Sequence, residues 1–115
     1  MELQGTTVVP GYVDAHVHGG GGASFNTGTA EAAETVVAAH LAHGTTTIMA
    51  SLVTDTTAEL DRSVRELAKL AAAGTLAGIH LEGPWLSPKH AGAHDPALLA
   101  EIGRASCRER VLTDV

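Results

Sequence analysis

A chain of 115 residues has the length of one small domain. Its net charge of -6, with only seven lysines and arginines, excludes a basic surface for nucleic acid or anionic membrane. No apolar run approaches the roughly 20 residues that span a bilayer, and no signal-peptide pattern is present, so we expect a cytoplasmic protein.

The first predicted element is a strand at residues 12–17, which follows a proline–glycine turn. A glycine run at residues 19–22 predicts a loop, because four glycines do not suit the interior of a helix or strand. Helical periodicity then predicts a helix that begins near Thr29 and ends near Gly44.

The rest of the chain continues this alternation. Residues 45–54 form a continuous apolar run, which is typical of a strand buried on both faces. A helix over residues 57–73, a strand over 76–83 and a helix that starts at Asp95 follow. The order β-α-β-α-β-α predicts parallel strands joined by right-handed crossovers, in either a doubly wound sheet or part of a (β/α) barrel.

Two histidines mark the end of the first predicted strand. His16 and His18 are two residues apart, so their side chains point to the same face and could share a metal ion. Both α/β sheets and barrels bind ligands at the carboxyl ends of their strands. Solvated histidines near a loop are an equally strong interpretation, and Asp14 either bonds a ligand histidine or has a local structural role.

A carboxylate ends the third predicted strand. Glu82 follows an apolar segment and precedes Gly83 and Pro84, where its charge would be unpaired unless a cation or hydrogen bonds met it. A metal ion would satisfy that need. His80, two residues earlier, is better explained as a hydrogen-bonded core histidine.

The loop after Glu82 is longer than the usual connection of about 2–6 residues, which favours a functional loop. His94, just before the predicted N-cap, either donates to a substrate oxygen or caps backbone groups. Trp85 either lines a pocket or plugs the edge of a barrel. His40 and His43 lie near a helix C-terminus, where the helix dipole favours a structural role. No serine or cysteine motif for nucleophilic catalysis is present.

Two stretches resemble a known family. One lies at residues 10–19, PGYVDAHVHG, and resembles the first-strand signature of the amidohydrolase superfamily. The other lies at residues 78–96, GIHLEGPWLSPKHAGAHDP, and is similar to the N-acetylglucosamine-6-phosphate deacetylases. Its HLEGP motif followed by a G-[AT]-H segment is the more specific match, and the resemblance covers about residues 8–100.

The resemblance implies a metal-dependent (β/α)₈ TIM barrel that hydrolyses the acetamide of a phosphosugar, N-acetylglucosamine 6-phosphate. It implies a divalent metal, zinc, with one or two ions per site. Glu82 matches the metal-binding glutamate, and His16 and His18 match the pair that binds a second ion in some members. His94 matches the histidine that contacts the substrate's amide carbonyl, and Ala93 lies in the substrate-binding segment.

The sequence departs from the family in what it lacks. Residues 1–100 correspond to the first three β/α units, whereas the remaining metal-ligand histidines, the catalytic aspartate and the phosphate-binding residues come from later strands. We therefore expect no catalytic residue in this chain, and an inactive fragment of a homo-oligomeric enzyme. Three units of eight leave strand edges unpaired, which predicts poor solubility.

The last residues fall outside this resemblance. Residues 101–111 read as the in-frame translation of a sequencing adapter, so 101–115 are expected to be a non-native tail. Two alternatives to a deacetylase remain open: another amidohydrolase that opens a ring amide, and a non-catalytic α/β fragment. Neither nucleic acid nor membrane is an expected partner.

Overall fold

The computed structural model describes residue 5 and residues 7–101. Its elements, in chain order, are β1 (Tyr12–Val17), β2 (Gly19–Gly20), β3 (Ala23–Ser24), α1 (Ala30–Leu41), β4 (Thr45–Val53), α2 (Thr57–Ala72) and β5 (Gly78–Glu82). Neither helix in this part of the chain has the length and hydropathy of a membrane span. Apart from Glu101, the predicted tail lies outside the described residues.

Three parallel strands form the main sheet, in the order β1-β4-β5. The predicted α/β class with a parallel sheet is therefore confirmed. The strand with the continuous apolar sequence, β4, is central. The register places Val17 of β1 beside Ala50, and Glu82 of β5 beside Val53. The carboxyl ends of the three strands consequently lie at the same end of the sheet.

Both long helices begin at threonine caps. Thr29 Oγ1 accepts the backbone N–H of Ala32 at 3.3 Å, as the predicted start of α1 requires, and Thr56 Oγ1 accepts that of Glu59 at 3.2 Å. The helices and the sheet share one apolar core, which is made of Val17, Phe25, Ala33, Val36, Ile48, Ala50, Leu52, Leu60, Leu67 and Leu76. This core fixes the strand ends relative to one another.

The glycine run differs from its prediction as a plain loop. Its residues contribute to a short antiparallel pair, in which Gly19 of β2 lies opposite Ser24 of β3. The carbonyl of His18 accepts hydrogen bonds from the Phe25 N–H and the Ser24 hydroxyl. A Cβ at Gly19 would collide with the carbonyl oxygen of Ala23, so this close approach requires glycine.

The helix predicted from Asp95 is wrong within the described residues. Asp95 does act as an N-cap, since its side chain accepts the Ala97 N–H at 2.9 Å, but only a 3₁₀ turn at Pro96–Leu98 follows. Leu99 is extended, with φ -70° and ψ 141°. The N–H of Ala100 then donates to the carbonyl of Pro84 at 2.9 Å, so the chain folds back onto the loop after β5.

The edge strand β1 presents apolar side chains to solvent. Tyr12 is 67% exposed and Val13 is 72% exposed. Exposed apolar groups on an edge strand favour association with other chains. These exposed side chains are the feature of the described residues through which we expect low solubility to arise.

Candidate functional site

Three side chains converge where the parallel strands end. His16 Nε2 lies 3.0 Å from His18 Nε2 and 3.0 Å from Glu82 Oε2, and His18 Nε2 lies 2.9 Å from the same oxygen. The structure therefore brings together the three side chains predicted as metal ligands, and among the described residues they form a group able to hold a metal ion.

Strand geometry explains this convergence. His16 lies on β1 and His18 lies one residue beyond it, so the two side chains share one face, as their spacing predicted. Glu82 is the last residue of β5, and the register with β4 brings it to the same end of the sheet. Asp14 has the local role, because its carboxylate accepts the backbone N–H of His16 at 3.2 Å.

The backbone of β4 determines which ring nitrogen of neutral His18 carries the proton. The Nδ1 atom of His18 lies 2.9 Å from the carbonyl oxygen of Ser51. A carbonyl only accepts hydrogen bonds, so His18 carries a proton on Nδ1 and, when neutral, a lone pair on Nε2. Metal-ligating histidines commonly show this arrangement, in which the second ring nitrogen donates to a backbone carbonyl.

Glu82 is the acidic centre of the group, with its side chain 33% exposed. Burial acts to raise the pKa of this carboxyl group, but hydrogen bonds to His16 and His94 and the charges of His16 and His18 outweigh it. The pKa of Glu82 consequently lies below its usual range. The carboxylate is thus the stable form near neutral pH, and it supplies negative charge for a cation.

His94 approaches Glu82 from the long loop. Its Nε2 lies 3.5 Å from Glu82 Oε1, and its side chain is only 8% exposed. On the other side of the ring, Nδ1 lies 2.7 Å from Thr54 Oγ1 and accepts the Thr54 N–H at 3.3 Å. One ring nitrogen therefore contacts a backbone group, as one of the two interpretations predicted, and the other faces Glu82. Ala93 beside it is exposed.

Three other histidines have structural contacts. His80 Nδ1 lies 3.2 Å from the Ser51 hydroxyl, and its ring packs edge-on against His16, which fits its interpretation as a hydrogen-bonded histidine. His40 Nε2 lies 3.1 Å from the Gly19 carbonyl, and His43 Nδ1 lies 2.9 Å from a carbonyl one helical turn earlier.

An open cavity of about 450 Å³ lies beside the loop that follows β5. It is bounded by two segments, residues 85–88 and residues 99–101. Trp85 therefore lines a pocket, one of its two predicted roles. The three converging side chains are not part of its lining.

Sequence reasoning missed three residues that shape the site. Ser51 and Thr54 orient His18 and His94 through contacts from β4 and the residue after it. Asn26 fixes that end of β4, because its side-chain amide both donates to the Val53 carbonyl and accepts the Val53 N–H. Their position near the end of a predicted strand was the only sequence signal for Ser51 and Thr54. Serine and threonine are too common at such positions for that signal to identify them as site residues.

The family-model comparison supports an enzyme family. Residues 7–114 match the model described as the amidohydrolase family. A solved N-acetyl-D-glucosamine-6-phosphate deacetylase from Mycobacterium smegmatis superposes with a TM-score of 0.84 at 49% identity, over 90% of this chain and 27% of that one. A second structure of the enzyme from this organism contains N-acetyl-D-glucosamine-6-phosphate.

Curated relatives agree on deacetylation and differ in the sugar. The chain is 37% identical over 108 residues to an N-acetylgalactosamine-6-phosphate deacetylase from Shewanella, which covers 87% of this chain. It is 32% identical over 95 residues to an N-acetylglucosamine-6-phosphate deacetylase from Bacillus subtilis, which covers 76% of this chain. The chain spans about a quarter of the length of these relatives, 26% and 24%.

Proposed function

Because the chain belongs to the amidohydrolase family, whose members depend on metal ions, we propose that it forms the N-terminal part of a hexosamine-phosphate deacetylase. The preferred substrate is N-acetylglucosamine 6-phosphate, and the products are glucosamine 6-phosphate and acetate. Residues 1–100 supply the first three β/α units of the (β/α)₈ barrel. The high identity to the Mycobacterium enzyme, 49%, supports this choice.

We propose that Glu82, His16 and His18 hold one or two divalent ions, with zinc as the metal. The supporting observation is the chemistry of the donor atoms. When neutral, His18 presents the lone pair of Nε2 to Glu82 Oε2 at 2.9 Å, and a lone pair that faces a carboxylate oxygen at that distance suits a cation bound by both. The alternative without metal is a charged imidazolium paired with the carboxylate, which a zinc titration distinguishes.

The spacing of the three donor atoms also fits a metal. Their separations are 2.9–3.0 Å. Ligands about 2.0–2.1 Å from zinc lie about 2.9–3.4 Å apart when they subtend 90° to 109°. Nitrogen and carboxylate donors are moreover common zinc ligands. The residues present therefore suit the metal on which the family depends.

A bound divalent ion would polarise the acetamide carbonyl and lower the pKa of a water molecule. His94 has the complementary role, because its Nε2 faces the site and can donate to the carbonyl oxygen as negative charge develops there. Ala93, beside His94, has no side chain beyond Cβ and leaves room for the acetamide. Hydrolysis consumes one water and leaves an amine and acetate.

Later parts of the protein complete this site in the proposal. They supply the general acid and base, the remaining histidine ligands and the groups that bind phosphate. The complete enzyme is a cytoplasmic homo-oligomer in this account. The 115-residue chain alone should bind metal without catalysing deacetylation.

N-acetylgalactosamine 6-phosphate is the second candidate substrate, since the Shewanella relative is named for it. The test is acetate release from both phosphosugars by the full-length protein from the parent gene, with Glu82→Gln as the inactive control. Faster release from the glucosamine derivative supports the proposal, and the reverse order supports the second candidate. Hydrolysis of a ring amide without acetate release from either sugar would refute both.

A further inference from the structure

We propose that Thr54 is the positioning residue that holds His94 as a hydrogen-bond donor towards the substrate. Thr54 follows β4 directly and is 8% exposed. It faces the Nδ1 side of the His94 ring with two groups, its hydroxyl and its own backbone N–H. This inference deepens the proposed function, since it rests on the role of His94 as a donor to the acetamide carbonyl.

The backbone contact determines which nitrogen of His94 carries the proton. The Thr54 N–H points at Nδ1 from 3.3 Å, and a backbone N–H can only donate. A proton on Nδ1 would face that hydrogen directly, so Nδ1 is an acceptor. Neutral His94 consequently carries its proton on Nε2, the nitrogen 3.5 Å from Glu82 Oε1.

The hydroxyl of Thr54 supports the same assignment. It lies 2.7 Å from His94 Nδ1 and 3.4 Å from the carbonyl oxygen of Glu82. Since the backbone N–H already makes Nδ1 an acceptor, the hydroxyl proton is directed to the Nδ1 lone pair, at the shorter distance, and not to the Glu82 carbonyl. The hydroxyl thus strengthens the Nε2–H form and also limits rotation of a nearly buried ring.

The end of β4 thereby gives two histidines opposite forms. The Ser51 carbonyl accepts from Nδ1 of His18 and leaves a lone pair on Nε2, as a metal ligand needs. Three residues later, Thr54 donates to Nδ1 of His94 and leaves Nε2–H, as an oxyanion donor needs. Two histidines beside Glu82 therefore have different roles, His18 as a metal ligand and His94 as a hydrogen-bond donor, because groups at the end of β4 fix different tautomers.

The proposal is tested by tautomer-sensitive ¹H–¹⁵N spectra of the ring nitrogens, recorded on the metal-free 115-residue chain. Thr54→Val removes the hydroxyl at nearly constant shape, and Thr54→Ser keeps it. His94→Asn identifies the His94 signals, and exposed His90 is an internal reference. We expect one Nε2–H form in wild type and Thr54→Ser, and an Nε2–H to Nδ1–H ratio about 2- to 10-fold lower in Thr54→Val.

An Nδ1–H form at His94 in wild type, or the same ratio in Thr54→Val as in wild type, would overturn the proposal. If Thr54→Val does not fold, wild type decides, because a tautomer mixture at His94 equal to that of His90 also overturns it. These spectra require neither metal nor substrate. A negative result therefore leaves the metal site and the deacetylation to their own assays.

Discussion

Replacing Gly83 with alanine tests whether the end of β5 is built around the contact between Thr54 and His94. Gly83 has a φ of 89°, and a Cβ there would collide with Thr54 Oγ1 and lie 3.5 Å from His94 Nδ1. Gly92, in the same loop, also has a positive φ, 59°, but its Cβ would meet no atom of residues 5 and 7–101 within 4 Å. Gly92→Ala is therefore a matched control for backbone strain alone.

The two substitutions should lower the free energy of unfolding by different amounts, and the difference is the cost of the collision with Thr54. A left-handed backbone costs a non-glycine residue about 1–2 kcal/mol, which is the whole effect expected for Gly92→Ala. Gly83→Ala adds about 1–3 kcal/mol for the forced shift of Thr54, which gives about 2–5 kcal/mol. The smaller entropy of the unfolded alanine chain offsets both variants equally.

Urea unfolding measures this difference with two probes. Circular dichroism follows the helices, and the fluorescence of Trp85, the one tryptophan of the sequence, follows the loop two residues from Gly83. We expect both probes to report a larger loss of stability for Gly83→Ala. Equal losses in the two variants would show that Thr54 does not pack against this glycine.

Three further predictions concern stability and solubility. Leu67→Ala, at a fully buried position of α2, should lower the free energy of unfolding by about 2–5 kcal/mol in urea titrations. Leu41→Ala, at a position 55% exposed, should change it by less than about 1 kcal/mol. The lowered pKa of Glu82 adds stability at pH values above the pKa that this carboxyl group has in the unfolded chain, and this stability is lost as the pH falls through its pKa in the folded state. Glu82→Gln should therefore make the urea midpoint depend less on pH in the acidic range. Val13→Lys should reduce aggregation in light scattering with little change in unfolding free energy, and unaltered scattering would count against association through β1.

Local sequence patterns were sufficient for the main elements. The apolar run at 45–54 and the helical periodicities predicted β4, α1 and α2 to within a few residues, because these signals depend on near neighbours. The convergence of His16 with Glu82 was also predictable, although 66 positions separate them. It follows from one rule, that parallel strands bring their carboxyl ends together.

Contacts that depend on the path of a loop were not predictable. Thr54 and His94 are 40 positions apart, and their contact requires the turn at Gly83 and the return of the chain over Pro84. The sequence pattern of the Asp95 N-cap is the same whether an α-helix or a 3₁₀ turn follows it. The extended residue after the turn is followed by the hydrogen bond between Ala100 and Pro84, a tertiary contact without a local signature.

Zinc titration of the 115-residue chain by calorimetry tests the central claim most directly. Wild type is compared with Glu82→Ala and His16→Ala, and with His43→Ala as the control, because His43 is exposed and its side chain, among the described residues, bonds only to its own helix end. Loss of an outer-shell partner typically weakens metal affinity about 10- to 100-fold, so removal of a direct ligand should cost at least that much. We predict this loss in Glu82→Ala and His16→Ala and wild-type affinity in His43→Ala, whereas unchanged zinc binding in the first two variants would contradict the proposed metal centre.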